Sequence, residues 1–136
     1  LPVLFCGDDG DVIGAAHAGW RGLQAGVLKK TLEAMHCRNV TAWLGPAIGP
    51  ANFEVGDEVR EAFLATETKA GEAFKANGPG KWLADIYRLA RLQLMALGVE
   101  HVYGGDLCTV ADERLFYSYR RDGAATGRMA SLIWRN

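Results

Sequence analysis

The sequence predicts a mixed α/β (α+β) fold in a single domain, and three observations carry that reading. Two short apolar runs, at residues 2–6 and 11–16, flank Gly7-Asp8-Asp9-Gly10, the pattern of a β-hairpin. Beyond the hairpin, strand-like and helix-like periodicities alternate to the end of the chain. The chain has 136 residues, 49% hydrophobic and 23% charged, which suits one globular core. An opening hairpin makes the sheet mixed rather than purely parallel. Residues 1–136 are read as one domain, and Leu1-Pro2-Val3-Leu4-Phe5 resembles the inside of a strand, so the domain is expected to be N-terminally incomplete.

Each later element has its own signal. Val27, Leu28, Thr31, Leu32 and Met35 recur at helical spacing and predict a helix over 23–35. Residues 40–44 (Val-Thr-Ala-Trp-Leu) read as a strand. Gly45-Pro46-Ala47-Ile48-Gly49-Pro50 predicts an irregular loop, since two glycines and two prolines in six residues suit neither regular element. Phe53-Glu54-Val55 is a short extended piece, and Asp57 is expected to cap a helix through Val59, Ala62 and Phe63. Residues 66–81 are polar and predict a mobile surface connection with one helical turn at 72–75. Asp85 opens a helix whose Ile86, Leu89, Ala90, Leu94 and Leu97 face one way, and Gly98 ends it. A strand over 99–103, a turn over 104–109, helical turns over 112–117 and a closing strand over 129–134 complete the prediction.

Composition excludes several function classes. Fifteen Lys and Arg against 16 Asp and Glu give a net charge of −1, which argues against nucleic acid or an anionic membrane as partner. No apolar stretch approaches the roughly 18–20 residues needed to cross a bilayer. The three cysteines are widely spaced and form no C-x-x-C pair, which argues against a disulfide scaffold or a zinc knuckle and for a reducing, cytoplasmic setting. Walker-type loops, G-x-G-x-x-G, G-x-S-x-G and H-E-x-x-H are all absent.

Two clusters carry the chemistry. His17 stands where a strand enters a Gly-bearing loop, followed by Trp20, Arg21 and Gly22: an imidazole, a flat π-surface, a forked cation and open backbone. Read as plain structure, His17 is a strand-end histidine and Trp20 belongs to the core. A hairpin loop over residues 7–10 pairs Cys6 with Asp11 and sets the residue before Leu1 opposite His17. Facing Cβ atoms are then roughly 4.5–5.5 Å apart, close enough to share a metal. The second cluster runs from Tyr117 through Arg120, Arg121, Asp122 and Gly123 to Thr126-Gly127-Arg128. Three arginines among glycines and aromatic rings suit an oxyanion or phosphate clamp, or else a solvated charged turn. Cys108, in a turn near Asp106, is a weaker candidate with a structural thiol as its plain reading.

Taken together, Leu1-Pro2-Val3-Leu4-Phe5-Cys6, His17-Ala18-Gly19-Trp20-Arg21-Gly22, Leu44-Gly45-Pro46-Ala47-Ile48-Gly49-Pro50, Phe53-Glu54-Val55-Gly56, Cys108-Thr109 and the 117–128 block resemble the laccase-domain proteins. That family was long labelled multicopper polyphenol oxidases and later recognised as purine nucleoside phosphorylases. The resemblance implies a zinc site of two histidines and one cysteine, of which His17 alone matches here. The cysteine ligand would precede Leu1, the second histidine would lie further upstream, and Cys6 matches a non-ligand position. It also implies phosphorolysis of adenosine, inosine and related nucleosides, with adenosine deamination as a further activity. Arg21, Arg120, Arg121 and Arg128 are the residues expected to hold substrate or phosphate. The competing expectations are a copper-dependent polyphenol oxidase and a non-catalytic factor in cell-envelope (peptidoglycan) editing. The residues assign no general acid or base.

Overall fold

The computed structural model describes residues 1–135, and along them run β1 (Pro2–Gly7), β2 (Ile13–His17), α1 (Trp20–Gln24), α2 (Val27–Met35), β3 (Val40–Leu44), β4 (Glu54–Gly56), α3 (Asp57–Leu64), β5 (Phe74–Ala76), β6 (Lys81–Ala84), α4 (Ile86–Ala96), β7 (His101–Gly104) and α5 (Tyr119–Asp122). One sheet has the order β2-β1-β3-β7, with β1 antiparallel to both neighbours and β3 parallel to β7. A second, antiparallel sheet has the order β4-β6-β5. The expected α+β class with a mixed sheet is therefore the one found.

The hairpin forms, but two residues out of the expected register. Gly7 stays in the ladder, with its N–H donating to Val12 O at 2.8 Å, and the four-residue loop is 8–11 rather than 7–10. Gly10 closes the turn at φ +74°, a conformation that favours glycine, and its N–H donates to Gly7 O at 2.8 Å. Moving the loop by one residue moves the register by two, so Cys6 faces Ile13 and Pro2 faces His17. Side-chain faces survive a two-residue shift, but the residue opposite His17 is a proline that offers a metal no donor.

One face of the four-stranded sheet buries Val3, Phe5, Ala42 and Leu44 completely. Leu23 and Leu28 from the first two helices and Leu89 and Leu94 from α4 join them in one continuous core. The helix expected over 23–35 is two helices, because Gly26 takes φ +77° and turns the chain between them. α4 follows its signals closely: the Asp85 carboxylate accepts from Arg88 N at 2.9 Å, and Gly98 takes φ +81° just past the end.

Four expectations fail. Residues 66–81 are more than a mobile connection with one helical turn at 72–75: a 3-10 turn over 68–73 leads into β5, which pairs with β6. Ala70, Ala73 and Phe74 are buried there, so three apolar side chains anchor a stretch that reads as polar overall. Asp57 begins α3 rather than capping it, and its carboxylate accepts from Trp82 Nε1 at 2.7 Å. Residues 112–117 form turns without a helix, and 129–134 run without pairing into a strand. In the first stretch Leu115 N and Phe116 N both donate to Asp112 O, at 3.3 and 3.0 Å, which closes one turn that does not continue into a helix. None of the described helices is long and apolar enough to cross a membrane.

Candidate active site

A cavity of about 660 Å³, within the range of small-molecule sites, opens at the end of the four-stranded sheet. Three remote segments line it: Leu1, Pro2 and His17 from the hairpin, Pro46-Ala47-Ile48 after β3, and residues 115–120 and 126–131 together with Thr109. His17 is exposed, and a Cβ on Gly19 would stand 3.4 Å from its Nε2, so the glycine lets the loop fold back close to the imidazole.

The loop after β3 is the hardest part to build, because its backbone leaves the sheet with its polar groups unpaired. Buried Tyr87 solves this from α4. Its hydroxyl accepts from Ala47 N at 2.7 Å and donates to Leu107 O at 2.8 Å, tying the 45–50 loop to the 105–108 turn. Burial raises the Tyr87 phenol, which stays protonated and able to donate. Thr109 N donates to Ala47 O at 2.9 Å and completes the junction. The Cys108 sulfur lies beside it, accepting from Gly49 N at 3.2 Å and Asn52 Nδ2 at 3.4 Å. Burial pushes this thiol up, but the N–H groups of Ala111, Gly49 and Val110 and the Asn52 amide outweigh burial, so it lies below its ordinary value.

The four expected arginines divide sharply. Arg120 and Arg128 line the cavity with His17, although Arg128 is 111 residues away in sequence. The Arg128 guanidinium lies 6.0 Å from the Tyr119 ring centroid and donates from Nη1 to the carbonyls of Thr126 and Gly127, each at 3.1 Å. Arg120 lies 5.8 Å from the Phe53 ring centroid and also borders an adjoining cavity of about 460 Å³. Arg21 lies in that second cavity, stacked 4.5 Å over Trp20, so the expected Trp20–Arg21 platform is separate from the His17 cavity.

Arg121 does not face either cavity. Its Nη1 donates to Thr109 O (3.0 Å) and Val110 O (3.1 Å), and its Nη2 to Phe116 O (2.9 Å) and Asp122 Oδ2 (2.7 Å). Its Nε donates to Asp122 Oδ1 at 2.7 Å, so all five N–H groups are occupied within the protein. The expectation that Arg121 holds an anion is corrected: it braces the cavity wall. The paired Arg121 guanidinium holds the Asp122 carboxyl below its ordinary range. Aromatic surface in the cavity comes from Phe116, Tyr117 and Tyr119. Gly127 packs so closely on Tyr117 that a Cβ there would sit 2.7 Å from two ring carbons.

A metal fits poorly on these residues alone. Among the described residues no three His, Cys, Asp or Glu side chains cluster as ligands, and His17 has a proline opposite it. Tyr87 was not visible as a site residue in the sequence, where it reads as one more position of an amphipathic helix. The available signal was indirect: a Gly/Pro loop whose backbone groups needed a partner.

The fold and cavity together define a mixed α+β protein with a cationic, aromatic cavity at a sheet end. The chain belongs to the multi-copper polyphenol oxidoreductase laccase family, whose model matches residues 1–136. It is 59% identical over 136 residues to the purine nucleoside phosphorylase YfiH of Escherichia coli, covering 98% of this chain and 55% of that protein. It is 54% identical over 137 residues to a purine nucleoside phosphorylase of Pseudomonas aeruginosa, covering 98% and 56%. A Neisseria meningitidis crystal structure of the DUF152 family superposes with a TM-score of 0.89 at 53% identity, over 90% of this chain and 52% of that one. YlmD of Geobacillus stearothermophilus superposes with a TM-score of 0.80 at 34% identity, over 93% and 50%. The chain thus spans about half the length of the relatives it matches.

Proposed function

We propose that this chain carries the substrate-binding side of a purine nucleoside phosphorylase. The observation that carries the reading is the convergence of His17, Arg120, Arg128 and the Tyr117–Tyr119 aromatic surface on one cavity of about 660 Å³. A purine nucleoside offers a flat π-system for the rings, and orthophosphate offers oxyanions for forked cations. The names of the relatives support the same class of reaction.

In this reading a phosphate oxygen attacks C1′ of the ribose while the C1′–N9 bond breaks, giving ribose 1-phosphate and the free base. Arg128 and Arg120 hold the phosphate against the ribose and offset its charge as the bond forms. Tyr117 and Tyr119 orient the base, and Arg121 keeps their segment in place. Adenosine and inosine are the substrates proposed, with deamination of adenosine as a second activity. Zinc is the metal of this reading, with His17 as one ligand. The described residues do not complete a ligand set for it. The proposed setting is the cytoplasm, which accords with three cysteines that form no disulfide, and the proposed partners are small molecules rather than nucleic acid or membrane.

The test is product analysis of the protein given inosine and orthophosphate. Ribose 1-phosphate and hypoxanthine in equal amounts, dependent on phosphate, is the expected result. Ammonia released from adenosine would add the deaminase activity. An oxidised phenol product with copper bound, or no turnover of any nucleoside, would overturn the reading.

A further inference from the structure

The second cavity, of about 460 Å³, lies where α1 meets β4, β6 and α5, and two arginines remote in sequence border it. Each guanidinium lies over a ring: Arg21 4.5 Å from the Trp20 centroid, and Arg120 5.8 Å from that of Phe53. Stacking of this kind restricts the side chain and occupies the flat face of the guanidinium, while its five N–H groups stay available at the edge. Among the described residues Arg21 makes no side-chain hydrogen bond or ion pair, and Arg120 donates one long bond, from Nη1 to Glu54 O at 3.4 Å. Other arginines of the chain are paired. Arg88 holds Glu72 at 2.6 Å, Arg91 donates to the carbonyls of Val102 and Gly104, and Arg121 is fully occupied.

The acids of the same cavity do not neutralise this pair. Glu54 is committed to Lys81 Nζ at 2.9 Å and Asn77 Nδ2 at 2.8 Å. The Lys81 ammonium holds the Glu54 carboxyl below its ordinary range, with a smaller contribution from Arg120. Glu58 also borders the cavity, exposed and in no ion pair among the described residues. Two free forked cations therefore stand against one free carboxylate. Like charges facing one hollow repel, and an anion between them removes the repulsion while filling their N–H edges.

We propose that Arg21 and Arg120 form a second anion site, beside the His17 cavity, for a phosphoryl group. Such a group carries about −1.5 to −2 charges at pH 7 and three acceptor oxygens, enough for two forks to share, whereas a carboxylate has one charge and two oxygens. Arg120 borders both cavities, so an occupant of either one engages the same guanidinium. Two sources offer this chemistry. One is a phosphate monoester whose body lies in the His17 cavity, as a nucleoside 5′-phosphate would in the proposed nucleoside reading. The other is free orthophosphate. The site is defined by binding and stands whether or not the proposed phosphorolysis does.

A titration followed by NMR tests it, reading the Nε–H signals of Arg21, Arg120 and Arg128 and the indole N–H of Trp20. The probes are orthophosphate, inosine and inosine 5′-phosphate, with chloride and acetate at equal ionic strength as controls. A phosphate-bearing probe should shift Trp20, Arg21 and Arg120 together. Arg21→Ala, at an exposed position, should keep the melting temperature and weaken that response roughly tenfold or more. Inosine 5′-phosphate binding roughly tenfold tighter than inosine, with the gain lost in Arg21→Ala, would make the phosphoryl group the ligand's own. Equal binding of those two, with orthophosphate shifting Trp20, would make it free phosphate. Arg128 reports the first cavity separately, so phosphate that moves Arg128 but not Trp20 would overturn this site and leave the proposed reaction standing. No shift at Trp20 and Arg21 with either phosphate-bearing probe, the same shift with chloride or acetate, or an unchanged response in Arg21→Ala would overturn the site as well.

Discussion

The two sides of the cavity are held by different forces. On the His17 side, the wall is the end of β1, β2 and β3, and beneath it Val3, Phe5, Ala42 and Leu44 have no exposed surface. On the Arg128 side, the wall is residues 109–131, which include one short helix and place only Ser118 among the buried side chains. That second wall is tied by polar groups: Arg121 to three carbonyls and Asp122, Ser118 to Arg121 N, and Tyr87 to the loop junction behind it. Apolar burial is non-directional and insensitive to pH, whereas hydrogen-bonded ties are directional and open when one partner changes charge or is removed. The comparison teaches that one wall is a property of the whole core, and the other depends on a few named side chains.

The sharpest way to break this comparison is in the core. Phe5→Ala should cost about 3–5 kcal/mol, because a fully buried ring leaves a cavity the sheet cannot close. Denaturant titration should show both walls lost in one transition. Tyr87→Phe should cost less, about 1–3 kcal/mol, because it strands Ala47 N and Leu107 O without their shared hydroxyl. Amide exchange should then quicken at 45–48 and 107–109 while β1 and β2 keep their protection. An equal loss in the hairpin would show that the loop junction and the core are not separable.

Arg128→Ala and Arg121→Ala sharpen the division between a ligand-facing and a bracing arginine. Arg128→Ala should leave the fold intact and raise the phosphate requirement by on the order of 1–3 kcal/mol of charge-assisted bonding, measured by turnover against phosphate concentration. Arg121→Ala should instead make residues 109–122 sensitive to limited proteolysis before phosphate is added. Identical behaviour of the two variants would erase the distinction.

The smallest effect is a pH dependence. Asp122 is held below its ordinary value of 3.8 by its hydrogen bonds to Arg121, so the native state binds this proton more weakly than the unfolded chain does. Its contribution is therefore present above the unfolded value of about 3.9 and disappears as the pH falls through the lower folded value. Acid titration of the 109–131 wall, followed by proteolysis with an acid-active protease, should show loosening in that window. Asp122→Asn should flatten the profile, and a wild-type profile already flat there would remove Asp122 from the bracing set.

Much of the fold was legible because it rests on short-range signals. The hairpin runs, the strand over 40–44, the Asp85 cap and the Gly98 stop are each decided within a few residues by periodicity, capping and backbone freedom. His17 and the 117–128 block were also marked as candidates by residue type and by the resemblance, although forked cations beside rings suit a solvated charged turn as well. The second sheet escaped because β5 and β6 are three and four residues long, too short for a period to register, and are fixed by pairing with each other and β4.

What the sequence alone determined, then, is the set of local elements and the residue types available to a site. Tertiary structure decided which of those residues face it. Arg120, Arg121 and Arg128 read as equivalent cations within nine positions of one another. Only the folded chain shows that Arg121 is turned inward onto the carbonyls of Thr109, Val110 and Phe116 while the other two face the cavity. The hairpin register was settled in the same way, by Gly7 remaining in the ladder and Gly10 taking the left-handed turn, which moved the partner of His17 by two positions. The physical reason is range. Propensity and capping act over one turn of chain, but a guanidinium with five donors goes wherever the most unpaired carbonyls have been brought together, and that depends on the fold as a whole.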